Sequence, residues 1–112
     1  MAGLVGDARR VALSQAGAAL NEVVWTEPAL AHLAAIRAYI EQFNPRAARE
    51  VAASLKASGD SLGHFPHRGR PVPGTAMREL VSTYPYIIRY YMDGNNVVIL
   101  RVRHTSRRPT NP

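Results

Sequence analysis

At Met77 the spacing of the apolar residues changes from three-and-four to two, and that change limits what the chain can fold into. Before it, Leu30, Leu33, Ile36, Ile40 and Phe43 recur at helical spacing behind Thr26, a capping residue followed by Glu27 and Pro28 in the first turn. Asn44-Pro45 ends that helix and opens a second, with Ala48, Val51, Ala52, Leu55 and Leu62 turned inward and Gly59 interrupting its end. The many alanines of the second helix predict a close antiparallel pair. After Met77, residues 77–82 and 86–92 read as strands, and Asp93-Gly94-Asn95-Asn96 is a hairpin turn into a third strand beginning at Val97. A short β-type run, residues 22–26, precedes the helices and carries Trp25 as a core anchor. The segment between helices and strands, residues 63–76, reads as a loop punctuated by Pro66, Gly69, Pro71, Pro73 and Gly74. This order predicts an α+β domain: an early strand, then a helical hairpin packed on one face of a small antiparallel sheet, the sheet completed by a C-terminal three-strand meander.

The last strand runs out of an apolar core into a basic tail. Simple alternation puts Val97, Ile99, Arg101 and Arg103 on one face and Val98, Leu100, Val102 and His104 on the other. In the preceding strand Ile87, Arg89 and Tyr91 alternate with Tyr86, Ile88, Tyr90 and Met92. Neither face is wholly polar, so a partner is expected to cover the one that the helices leave. Charge points the same way. The formal net charge is +6, and residues 68–112 account for all of it, through Arg68, Arg70, Arg78, Arg89, Arg101, Arg103, Arg107 and Arg108 against Glu79 and Asp93. Arginine's planar fork suits carboxylates and phosphates, which favours a macromolecular partner.

A chain of 112 residues with 46% apolar content suits one domain. It has no cysteine, which excludes disulfides, thiolate metal sites and cysteine nucleophiles. No apolar run has membrane-spanning length and no signal pattern opens the chain, so a cytoplasmic location is expected. Residues 1–22 are rich in Ala and Gly, with a poor apolar stripe over residues 7–20, and read as an appendage; the domain is expected over residues 23–109 and a tail over residues 110–112. His64 and His67 lie three apart without a third ligand nearby, and His32 reads as a surface residue; neither a metal nor a cofactor is called for.

An ordered set of short motifs resembles the ParE branch of the RelE/ParE superfamily, the toxins of type II toxin-antitoxin modules. The set comprises Val24-Trp25-Thr26, then Ala29, Ile36 and Tyr39-Ile40, then Asn44-Pro45 with Ala47-Ala48. It continues through Phe65-Pro66, Gly69-Arg70-Pro71, Arg78-Glu79-Leu80 and Tyr84-Pro85-Tyr86 with Ile88 and Tyr90, and ends in Ile99-Leu100-Arg101-Val102 with His104 and Arg107. The resemblance implies a toxin that causes growth arrest, serves plasmid stabilisation and is silenced by a DNA-binding antitoxin with a small acidic C-terminal segment, in a toxin-antitoxin hetero-oligomer. ParE-like members are described as DNA gyrase inhibitors that act by binding, whereas RelE-like members cleave messenger RNA on the ribosome.

The two activities ask for different residues. Binding needs a cationic surface, for which the candidates are Arg78, Arg89, Arg101, Arg103, His104, Arg107 and Arg108, with no catalytic residue. Cleavage needs a proton-transfer group and cations on the phosphate, for which His104, Arg78 and Arg101 are the candidates. The second helix offers only Arg46, Arg49 and Lys56 to a nuclease, and the 84–86 and 104–109 motifs are closer to ParE; binding is the preferred expectation.

Overall fold

The computed structural model describes residues 21–106. Residues 1–20 of the expected appendage, the tail, Arg107 and Arg108 lie outside the described residues. Strand β1 (Val23–Trp25) is followed by α1 (Glu27–Glu41), α2 (Pro45–Asp60) and a short 3-10 turn (Ser61–Gly63), then β2 (Arg70–Pro71), β3 (Met77–Thr83), β4 (Tyr86–Asp93) and β5 (Asn96–His104). The strands form one five-stranded sheet in the order β1-β5-β4-β3-β2. The helices cover one face, as the order of periods predicts. The sheet is mixed rather than antiparallel, because β1 runs parallel to β5, with Val23, Val24 and Trp25 opposite Val97, Val98 and Ile99. The chain reaches that edge already bonded to the domain: Val97 N–H donates to the Glu22 carbonyl, 2.7 Å, and Asn21 N–H to the Gly63 carbonyl, 3.2 Å.

Local chemistry explains the helix ends. Thr26 Oγ1 accepts from Ala29 N–H at 3.3 Å and itself donates to the Ile99 carbonyl at 2.8 Å, so one hydroxyl caps α1 and ties it to the central strand. Asn44 Oδ1 caps α2 from Ala47 N–H, with Pro45 in the first helical position. The inward face of α1 is narrower than its spacing suggests: Leu33 and Ile36 pack on the core and Ala29 is fully buried, whereas Leu30 and Phe43 are exposed. Leu30 lies on the flank, and Phe43 follows the last helical turn, resting edge-on against Tyr39. On α2, Ala48 and Leu55 are buried and Val51 packs on the core, while Leu62 is buried from the 3-10 turn. Leu55, Leu62, Ile88, Tyr90, Val97 and Ile99 are the large fully buried side chains, and each fully buried aliphatic one contributes roughly 1.5–3 kcal/mol.

Gly59 does not interrupt α2, which continues to Asp60. It is buried where the helix crosses Trp25 and Ile99, and a Cβ there would collide with Trp25 Cζ2 at the edge of the ring and stand 2.9 Å from Ile99 Cδ1. The closeness lets Trp25 Nε1–H reach Asp60 Oδ1 at 3.0 Å, with Lys56 Nζ over the ring.

Two features depart from a plain loop-and-meander reading. Inside the Pro/Gly segment, Arg70 and Pro71 form an edge strand opposite Glu79 and Arg78. The segment is held from below by Tyr90, whose hydroxyl accepts from Gly69 N–H (2.9 Å) and donates to the Pro66 carbonyl (2.7 Å), and by Arg78 Nη1 on the His67 and Gly69 carbonyls. The β4–β5 register also slips: Arg89 lies opposite Arg101 but Tyr90 lies opposite Ile99, so Leu100 is an extra residue in β5. The bulge overturns simple alternation. Val97, Ile99 and Val102 all face the core, and their parity would otherwise separate Val102 from the other two. The β4–β5 turn is as expected, with Gly94 at φ +64 taking the first central position.

Candidate functional site

Register builds a charged row across the sheet. Arg70 of β2 lies opposite Glu79 of β3, Glu79 opposite Arg89 of β4, and Arg89 opposite Arg101 of β5. Residues directly opposite share a face, and this one is turned away from the helices, since Leu80, Ile88, Tyr90 and Val102 hold the other. Adjacent strands are about 4.8 Å apart, so Arg70 and Arg101 stand about 14 Å apart at the ends of the row. Glu79 Oε2 accepts from Arg89 Nε at 3.0 Å and from Arg89 Nη2, and Arg103 Nη2 reaches the same oxygen at 3.5 Å. These three side chains are 14–21% exposed. Arg70 and Arg101 make no ion pair among the described residues. Tyr91, Met77, Val98 and Val24 occupy the other end of the same face by the same register.

Of the residues expected to bind a target, the fold therefore gathers Arg89, Arg101 and Arg103, and it adds Arg70, which stands in the segment 63–76 that reads as loop in the sequence. A cue was present in Gly69-Arg70-Pro71, but nothing local told which strand would receive it. Arg78 goes elsewhere. It lies on the helix side, opposite Tyr90, with its guanidinium spent on loop carbonyls. His104 lies opposite Tyr86 and packs edge-on against that ring at 5.4 Å, while its Nδ1 accepts from Ser106 N–H at 3.1 Å and sits 2.7 Å from Ser106 Oγ. His104 thus closes the end of the strand. Four residues along β4 separate the registers of His104 and Arg78, about 13 Å, and Arg101 is on the opposite face from both.

His32 is not an idle surface residue. Its Nδ1 accepts from Val102 N–H at 3.3 Å, satisfying a donor that the bulged end of β5 would otherwise turn past the short strand β1. Burial and then the nearby Arg101 guanidinium lower its pKa below the ordinary 6.5. The protonated ring would aim a second donor at Val102 N–H. Because the unfolded chain then binds the proton more readily than the folded one, stability is full above about pH 6.5 and is lost as pH falls from there through the folded pKa. Thermal melts of wild type and His32→Gln should diverge in this sense between neutral and acid pH, with wild type losing more. Parallel curves would show that His32 does not titrate across folding.

Among the described residues no group of three His, Cys, Asp or Glu side chains is placed to hold a metal ion, and no helix is long and apolar enough to cross a membrane. A helical hairpin on one face of a small mixed sheet, with arginines gathered on the other face, defines a small basic α+β domain.

The chain matches the family model for the ParE toxin of the type II toxin-antitoxin system, parDE, over residues 23–109. It is 52% identical to "Toxin RelE2" of Caulobacter vibrioides over 88 residues, covering 79% of this chain and 99% of that protein. It is 41% identical to "Putative toxin Y4kP" of Sinorhizobium fredii, covering 75% and 88%. Its fold is shared with a chain of the chromosomal ParDE TA system from P. aeruginosa, at a TM-score of 0.70 and 22% identity over 80% of this chain and 100% of that one. The chain belongs to the ParE toxin family of type II toxin-antitoxin systems.

Proposed function

We propose that this toxin arrests growth by binding DNA gyrase through the arginine row, without bond-breaking residues of its own, and that a cognate antitoxin with an acidic segment silences it. The observation that carries the reading is the separation of His104, Arg78 and Arg101: cleavage needs proton transfer and phosphate stabilisation at one point, and these three lie at different ends and faces of the sheet. Docking asks only for a rigid, charged and partly apolar face. Arg101, Arg103 and Arg89 on consecutive strands, beside Tyr91 and Val98, supply one. Arg107 and Arg108, which follow β5, extend the same charge in sequence. For the antitoxin, the helical hairpin exposes Leu30, Tyr39 and Phe43 as apolar anchors for an amphipathic segment, while the excess of arginine in residues 68–112 attracts its acidic side chains.

The test compares wild type with His104→Gln. Growth arrest with gyrase-linked DNA damage is expected from both, because Gln keeps size and hydrogen bonding. A ribosome-dependent endoribonuclease using His104 would lose ~100-fold to ~10,000-fold. Codon-specific message cuts that vanish in the variant, with supercoiling unaffected by wild type, would overturn the gyrase reading in favour of the nuclease.

A further inference from the structure

Four arginines on one face are the usual electrostatic footprint of a nucleic-acid site, yet this row holds a carboxylate in its interior. Across the strands the charges run positive, negative, positive, positive: Arg70, Glu79, Arg89, Arg101. We propose that Glu79 is a specificity-determining residue that makes this face refuse phosphodiesters and reserves it for protein surfaces. The inference rests on reading the face as a docking surface.

A phosphate seated on Arg70 or Arg89 would stand about one strand spacing, ~4.8 Å, from the Glu79 carboxylate. At that distance, in partly buried surroundings, repulsion from the carboxylate offsets much of the attraction of one guanidinium. Glu79 also commits two cations. Arg89 lies fork-on against its Oε2 and Arg103 approaches the same atom, so neither offers a full set of donors to an incoming phosphate. A nucleic-acid backbone cannot avoid the conflict, since every unit along it carries the same charge. A protein can. Carboxylates opposite Arg70 and Arg101, about 14 Å apart, with a donor or cation opposite Glu79, would match the row, and like-charge juxtaposition is a recurrent means of rejecting the wrong partner.

The experiment measures binding of a labelled oligouridylate to the full chain as wild type, Glu79→Gln and the double variant Glu79→Gln with Arg89→Gln. The single variant is expected to bind about tenfold tighter than wild type. Its salt dependence should be steeper by about 0.7 for each phosphate newly held. The double variant has the net charge of wild type but no central carboxylate, and it too should bind tighter. It also carries the test should the single variant, with Arg89 left half-buried and uncompensated, fail to unfold cooperatively. Wild type binding RNA as tightly as the variants, or a double variant equal to wild type, would overturn the inference, the second by showing that net charge alone governs. Gyrase supercoiling measured on the same preparations reads the docking assignment separately: wild type that ignores both gyrase and RNA would sink that assignment while leaving the exclusion of phosphate standing.

Discussion

Arg101→Glu should raise the concentration of toxin needed to inhibit its target by about 100-fold or more, the size expected when a contact cation is replaced by a charge the partner repels. The residue is suited to such a test because it makes no ion pair among the described residues, so the fold has no counter-charge to leave stranded. It also lies opposite Arg89, a like-charge pairing that the substitution relieves. Folding should therefore survive. An internal control comes from His32, whose pKa is lowered by burial and then by Arg101; reversing that charge removes the second cause, and folding should become less sensitive to acid than in wild type. Inhibition unchanged from wild type, in a protein whose acid sensitivity has shifted in this way, would exclude Arg101 from the contact surface.

Gly59→Leu should yield no stably folded domain. Glycine inside a helix ordinarily costs up to about 1 kcal/mol relative to alanine, so an exposed glycine is a place to gain stability by substitution. At Gly59 the sign reverses, because the first added carbon already meets the Trp25 ring and Ile99 Cδ1. Gly59→Ala is expected to cost about 1–3 kcal/mol by overpacking, seen as a lower urea midpoint. A leucine adds three more carbons in the same place, against a total stability for such domains of about 5–15 kcal/mol. A Gly59→Ala variant more stable than wild type would show that α2 can move off Trp25 at no cost.

Both substitutions bear on how much could be read from the chain itself. The helical hairpin, the early strand and the final meander were legible because each is encoded locally. Thr26, Asn44 and Pro45 cap and start the helices, Gly94 turns the hairpin, and the apolar period changes from helical to alternating at Met77. The ParE-type motifs were likewise legible, being ordered along the chain. The arginine row was legible only in its ingredients. Charge counting located the cations in the C-terminal part, but it treated Arg78 and Arg89 alike, whereas one holds the loop at Gly69 and the other faces away from the helices.

What the sequence by itself determined is thus the set of elements, their order and the excess of arginine after residue 67, all of them properties of neighbours along the chain. What only the tertiary structure decided is which residues meet. The bulge at Leu100 turns Val102 inward beside Ile99, β1 joins β5 in parallel from the far end of the chain, and the two residues Arg70 and Pro71 add an edge that brings Arg70 against Glu79. Strand register is set by contacts between segments distant in sequence, and a slip of one residue exchanges the faces of everything beyond it. No local pattern carries that information, and at β5 the slip separates a strand that alternates simply from one that keeps Val97, Ile99 and Val102 in the core while aligning Arg101 with Arg89 and Glu79.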